Sequence, residues 1–192
     1  MCVAQQSNGP FYPVELGRLD GLNSSNSSVT GKLPSPTHTM DELVAIFKAQ
    51  GFNMSQMVAL SGAHTLGLAR CSTFKDRMYG SPPDPTLNTQ YAAFLRSRCP
   101  PGGPWDPMVL LDQATPADFD NQYHRNLQDI GGLLVSVQLL YTDNRTRPDV
   151  DAWANSSAAF NQAFVDAIGK LGRVGVKSGS KGNIRKQCSV FN

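Results

Sequence analysis

The chain has 192 residues, 40% of them apolar, and carries 17 Lys plus Arg against 15 Asp plus Glu, a net charge of +2. That length fits one domain or a large part of one, and the near balance of charge gives no basic footprint for nucleic acid. No apolar run reaches the roughly 18 residues of a membrane span, and nine Phe, five Tyr and two Trp argue against a disordered chain.

Residues 1–8 open Met1-Cys2-Val3-Ala4 and show neither a basic n-region nor an apolar h-region, so no signal peptide is read there. From 7 to 39 the density of Pro and Gly predicts folded loops, with a polar Asn/Ser stretch from Asn23 to Ser28. Thr39 with Glu42 three residues on forms a capping-box pattern, and Leu43, Ile46 and Phe47 share one face of the helix it starts. Gly51 is placed to stop that helix. Ser55 is a second candidate cap, ahead of Met57, Val58 and Leu60. Gly62 and Gly67 then bracket a compact segment around His64.

Pro82-Pro83-Asp84-Pro85 breaks the chain again, and Tyr91, Phe94 and Leu95 predict a helix ending near Cys99. Thr115 is read as the cap of a helix that Pro116 begins. Tyr123, Leu127, Ile130, Leu133 and Leu134 continue an apolar side toward Leu140, and Gly131-Gly132 splits that run into two helices. Phe160, Phe164, Ile168 and Leu171 lie on one stripe of a last helix, Ser156 to Leu171, which Gly172 ends. The basic, Gly-rich tail forms a loose hairpin or lies along the body. Strand signals are scarce, so the fold class is mostly α with long connections.

The chemistry legible in the residues alone is limited. Of His38, His64 and His124, only His64 stands out: it lies amid Ala59, Leu60, Ala63 and Leu66, where an imidazole needs a partner, either a core hydrogen bond or a metal. Asp112, Thr115, Asp118 and Asp120 gather hard oxygen groups of the kind calcium takes, although Thr115 and Asp118 also suit a helix start. The four cysteines, Cys2, Cys71, Cys99 and Cys188, include no Cys-x-x-Cys pair, which disfavours zinc and redox motifs and leaves three pairings open. Asn23, Asn26, Asn53, Asn144 and Asn155 match Asn-x-Ser/Thr and matter only in a secreted chain.

The segment Met57 to Gly67, MVALSGAHTLG, resembles the proximal haem-ligand segment of the secretory plant haem peroxidases (class III). Val14 to Gly21 (VELGRLDG), Leu33 to Pro36 (LPSP), Asp76 to Tyr79 (DRMY), Thr115 to Asn121 (TPADFDN), Tyr141 to Arg147 (YTDNRTR), Gly172 to Lys177 (GRVGVK) and Gly182 to Arg185 (GNIR) are similar to family stretches in the same order. The resemblance implies an all-α haem-peroxidase fold, of which residues 9–192 would be the proximal part and 1–8 a non-family or truncated N-terminus. It implies haem b with His64 as the axial iron ligand. It implies calcium at Thr65, Asp112, Thr115 and Asp120, with Asp118 giving its backbone carbonyl. Cys71 and Cys99 match a family disulfide, and Pro36 a position where small aromatic reductants dock.

The activity so implied is reduction of hydrogen peroxide coupled to oxidation of phenolic donors, in a secreted, extracellular or cell-wall protein. The departures matter as much. The family's distal Arg and His precede Gly9 in chain order, and His38 falls on the proximal side, so no distal catalytic residue is expected here and the chain alone should be a weak or inactive peroxidase. Ser136-Val137-Gln138 stands where the family has Ser-Asp-Gln, whose Asp accepts a hydrogen bond from the axial histidine; Val137 cannot accept one. Cys188 is expected to have lost its usual partner. The alternative is a non-catalytic secreted or cell-wall protein that keeps a haem- and calcium-binding scaffold.

Overall fold

The computed structural model describes residues 6–23, 25–187 and 189–190; the pairing of Cys2 and Cys188 lies outside them. Eight α-helices are present among these residues: α1 Met40–Ala49, α2 Met54–Ser61, α3 Lys75–Tyr79, α4 Thr89–Arg98, α5 Gln122–Gln128, α6 Val135–Thr142, α7 Arg147–Asn155 and α8 Ser157–Leu171. Two short strands, β1 Leu68–Arg70 and β2 Met108–Leu110, pair antiparallel, with Leu68 opposite Leu110. The molecule is therefore mostly helical, as the residue pattern predicts; the small sheet was not legible in three-residue strands.

Local rules account for the helix starts. Thr39 and Glu42 cap α1 reciprocally, the Glu42 carboxylate accepting the Thr39 N–H at 2.8 Å. The cap of α2 is Asn53, not Ser55. Its Oδ1 accepts the Gln56 N–H at 2.8 Å while Gln56 Oε1 accepts the Asn53 N–H, a reciprocal pair that Ser55 could not make from inside the first turn. Gly51 follows α1 at φ +83°, where a side chain would be strained. Ser156 caps α8, its Oγ accepting the Ala159 N–H.

Two expectations fail. No helix starts at Thr115–Pro116: that segment stays a loop until Gln122, because Thr115 Oγ1 turns to Asp112 rather than to the N–H groups ahead of it. Ile130 is not part of the apolar side. It is a positive-φ turn residue after α5, partly exposed.

The core forms where α2 packs on α8 and α5 on α7. Phe160 is fully buried at its centre, 5.6 Å from the Phe119 ring, 4.6 Å from His124 and 6.1 Å from Phe164. Truncating such a phenylalanine costs about 3–5 kcal/mol. Ahead of α1, residues 9–23 run as an irregular strap held by polar clips: Arg18 Nε donates to the Gly172 carbonyl, Arg173 pairs with Glu15, and Asp20 bridges Asn183 in the tail. The tail thus lies against the strap.

Candidate functional site

His64 and Thr65 end a single 3-10 turn, Gly62–Thr65, that continues directly from α2. Gly62 is required there. A Cβ on it would meet Phe160 Cζ at 2.7 Å and His124 Cε1 at 3.1 Å, so only glycine lets the turn press onto the aromatic core.

After Thr65 the chain enters β1. Leu111 N–H donates to the Gly67 carbonyl at 3.0 Å, extending the β1–β2 pairing by one step. The sheet thereby brings Asp112 beside Thr65 across 47 residues of sequence. Thr65 Oγ1 lies 3.4 Å from Asp112 Oδ2 and 3.2 Å from Asp120 Oδ1, and Thr115 Oγ1 lies 3.3 Å from Asp112 Oδ2. Asp112 and Thr65 are buried, with Asp112 1% exposed. The opposite oxygen of Asp112 accepts the Ala114 and Thr115 N–H groups. The Asp118 side chain points elsewhere, accepting from Asn8 Nδ2 at 2.8 Å.

Four of the five oxygen-bearing residues expected together are therefore brought together by their side chains, while Asp118 stays in the same loop, its N–H donating to the Thr115 carbonyl. The set fits a hard cation. Two carboxylates converge on one hydroxyl that has a single proton to donate, and among the described residues neither is in an ion pair. No group of three or more His, Cys, Asp or Glu is gathered among the described residues, so calcium would depend on the threonine and carbonyl oxygens that it accepts readily.

His64 is exposed, and it also lines a narrow cleft with Leu111, Tyr123, Leu134 and Val137. Part of the ring is open and part enclosed. Enclosure holds its pKa below the ordinary imidazole value, which favours the neutral ring that ligates metals. Neither ring nitrogen makes a hydrogen bond among the described residues. The site fits an axial haem ligand: a neutral imidazole, presented at a surface beside apolar side chains, on a turn fixed from behind. Val137 shares the cleft, so the residue at 137 does face the histidine's surroundings.

The cleft's far wall is tied down by residues that the motif reading passed over. Arg77 is buried, pairs with Asp84 at 2.7 Å and donates to the Gly132 carbonyl. Gln138 accepts the Gly132 N–H at 2.9 Å and donates to the Leu127 carbonyl at 3.0 Å. A buried Arg in the DRMY stretch was the available signal, since such a charge needs several acceptors.

Pro36 is half-buried, and its carbonyl accepts the Ser136 N–H at 3.0 Å, which places its loop at the start of α6 next to Val137. His38 Nδ1 accepts the Ser35 N–H in that loop. Cys71 and Cys99 form a disulfide with a Cα–Cα distance of 5.6 Å, joining the end of β1 to the end of α4. Closing such a loop is worth about 3.6 kcal/mol in the chain-entropy model. Asn23, Asn26, Asn53, Asn144 and Asn155 are all exposed; the amide nitrogen of Asn155 donates to the Asp151 carbonyl.

Comparison with known proteins adds a second line. The family described as "Peroxidase" matches residues 1–156. The chain is 50% identical over 196 residues to "Peroxidase 51" of Arabidopsis thaliana, covering 99% of this chain and 59% of that protein. "Peroxidase 50" of the same plant is 49% identical with the same shares, and "Peroxidase 16" is 47% identical over 194 residues, covering 99% and 60%. The chain thus spans about three-fifths of the length of these curated relatives.

Proposed function

This chain belongs to the peroxidase family, and on that premise we propose that residues 9–192 form the proximal part of a haem peroxidase that reduces hydrogen peroxide while oxidising phenolic donors. The observation that carries the reading is the pairing of His64 and Thr65. Neighbours on one turn, they present a neutral imidazole to a cleft on one side and join a four-residue oxygen cluster on the other.

His64 would hold haem b through one ring nitrogen, and Thr65, Asp112, Thr115 and Asp120, with the Asp118 carbonyl, would hold calcium. Bound haem supplies the redox chemistry that protein side chains lack. The protein's share is orientation. Calcium would fix Thr65 to the loop 112–120, and so fix the adjacent His64, while Gly62 holds the turn against Phe160. Pro36, tied to Ser136, would border the place where phenols approach. Proton transfer between the peroxide oxygens needs a base, and stabilising the departing oxygen needs a cation. Those groups belong, in this reading, to the part of the relatives' length that this chain does not span. The chain alone is then a poor catalyst, and secretion is the setting in which its disulfide and exposed Asn-x-Ser/Thr sites are used.

The test is a haem titration of the chain in calcium. The expected result is one saturable site with the absorption of histidine-ligated haem, lost in His64→Ala, and a kcat/KM for hydrogen peroxide close to that of free haem. Haem binding that His64→Ala leaves unchanged would remove the basis of the reading.

A further inference from the structure

Behind His64 stands a buried hydroxyl with nothing to bond. Tyr123 is 4% exposed, and its Oη is enclosed without a hydrogen-bond partner among the described residues. Such a group is costly in a native interior unless something at the site uses it. Tyr123 lines the same cleft as His64 and Val137.

Several other polar groups of that wall already have partners. Asn126 Oδ1 accepts from Gln122 Nε2 at 2.9 Å, the Asn126 carbonyl accepts the Gly131 N–H, and Gly132 is held at both ends by Gln138 and Arg77. Val137 offers no acceptor. His64 thus shares the cleft with a Tyr123 hydroxyl that is uncommitted among the described residues.

We propose that Tyr123 is a positioning residue for His64, its hydroxyl satisfying, through one water held in the cleft, the N–H on the ring nitrogen that does not bind a metal. The inference rests on the reading of His64 as a ligand. His64 and Tyr123 make no direct hydrogen bond, and the cavity between the lining residues is about 10 Å³, about the room one water needs. That water accepts the imidazole N–H and donates to Oη; the phenol, both donor and acceptor, rotates to complete the set. A partnered N–H selects one tautomer and leaves the other nitrogen's lone pair aimed out of the cleft. A neutral phenol acting through water is a weaker acceptor than a carboxylate in direct contact, so the imidazole stays a modest electron donor.

Tyr123→Phe removes one oxygen and keeps the ring. In the haem-free chain, the imidazole nitrogen shifts of His64 in ¹⁵N NMR should show one dominant tautomer, moving toward an even mixture in Tyr123→Phe. In the haem-loaded ferrous chain, the iron–histidine stretching band should move to lower frequency, and haem affinity should drop on the order of 10-fold. In a Val137→Asp background a carboxylate takes the N–H directly, and Tyr123→Phe should then lose most of its effect on both readouts. An unmoved tautomer balance overturns the proposal whatever the haem does, and so does an effect that persists undiminished beside Val137→Asp. A moved tautomer with no iron–histidine band supports Tyr123 as the partner and sinks instead the reading of His64 as the iron ligand.

Discussion

The turn Gly62–Thr65 separates two unlike environments. On the Thr65 side, oxygen atoms are in excess: Asp112 and Asp120 both reach one hydroxyl. On the Gly62 and His64 side, aromatic and aliphatic groups dominate, and the Tyr123 hydroxyl among them has no hydrogen-bond partner among the described residues. His124 is fully buried against Tyr123, Trp153 and Phe160, and neither of its ring nitrogens has a partner among the described residues. The first environment lacks positive charge; the second leaves buried polar atoms of Tyr123 and His124 without partners among the described residues. A turn set between them is held from both sides, by polar links that a cation would complete and by packing that tolerates no added atom.

The oxygen side depends most on a single group. Asp112→Ala removes the carboxylate that both threonine hydroxyls and two backbone N–H groups use. It should abolish saturable calcium binding in titration calorimetry and lower the unfolding free energy by about 3 kcal/mol. An isotherm identical to that of the unchanged chain would refute the assignment of this corner to calcium.

A smaller break comes from the packing side. Gly62→Ala puts a methyl group against the Phe160 ring and His124, where overpacking costs about 1–3 kcal/mol. Urea unfolding should register that loss with the calcium affinity nearly intact, because Thr65 keeps its own partners. Calcium affinity falling as steeply as in Asp112→Ala would show that the two sides are not separate.

The packing side also carries a pH dependence. Burial takes His124 from 6.5 down to about 3 in the folded chain. Between those values the unfolded chain binds a proton that the folded chain refuses, so this contribution is complete above pH 6.5 and is lost as pH falls toward 3. The slope is at most about 1.4 kcal/mol per pH unit. His124→Phe, which leaves an aromatic ring among aromatic neighbours, should flatten the stability profile between about pH 6 and 4 relative to the unchanged chain. Parallel profiles would mean that His124 finds a partner in solution.

The chain's own residues made much of this legible. Thr39 with Glu42 announced α1, Gly131-Gly132 separated α5 from α6, and the Phe160–Phe164–Ile168 stripe marked α8, because caps, glycines and a 3.6-residue period act over a few neighbours. The same local logic misplaced the cap of α2 at Ser55 and read Thr115 as a helix start. It also saw Tyr123 only as one more apolar position beside Leu127, since spacing reports which face a residue occupies and not whether its hydroxyl finds a partner.

The sequence by itself determined the helical class, the glycine that the turn needs, and the supply of an imidazole and four oxygen-bearing side chains. Only the tertiary structure decided which of these meet. Thr65 and Asp112 are brought together by the pairing of β1 with β2, two three-residue strands far apart in the chain. His64 shares a cleft with Tyr123 and Val137 because α5 and α6 fold back beside the turn. Burial, hydrogen-bond partners and the electrostatics that follow from them are properties of that assembly, set by contacts between segments that no local pattern records.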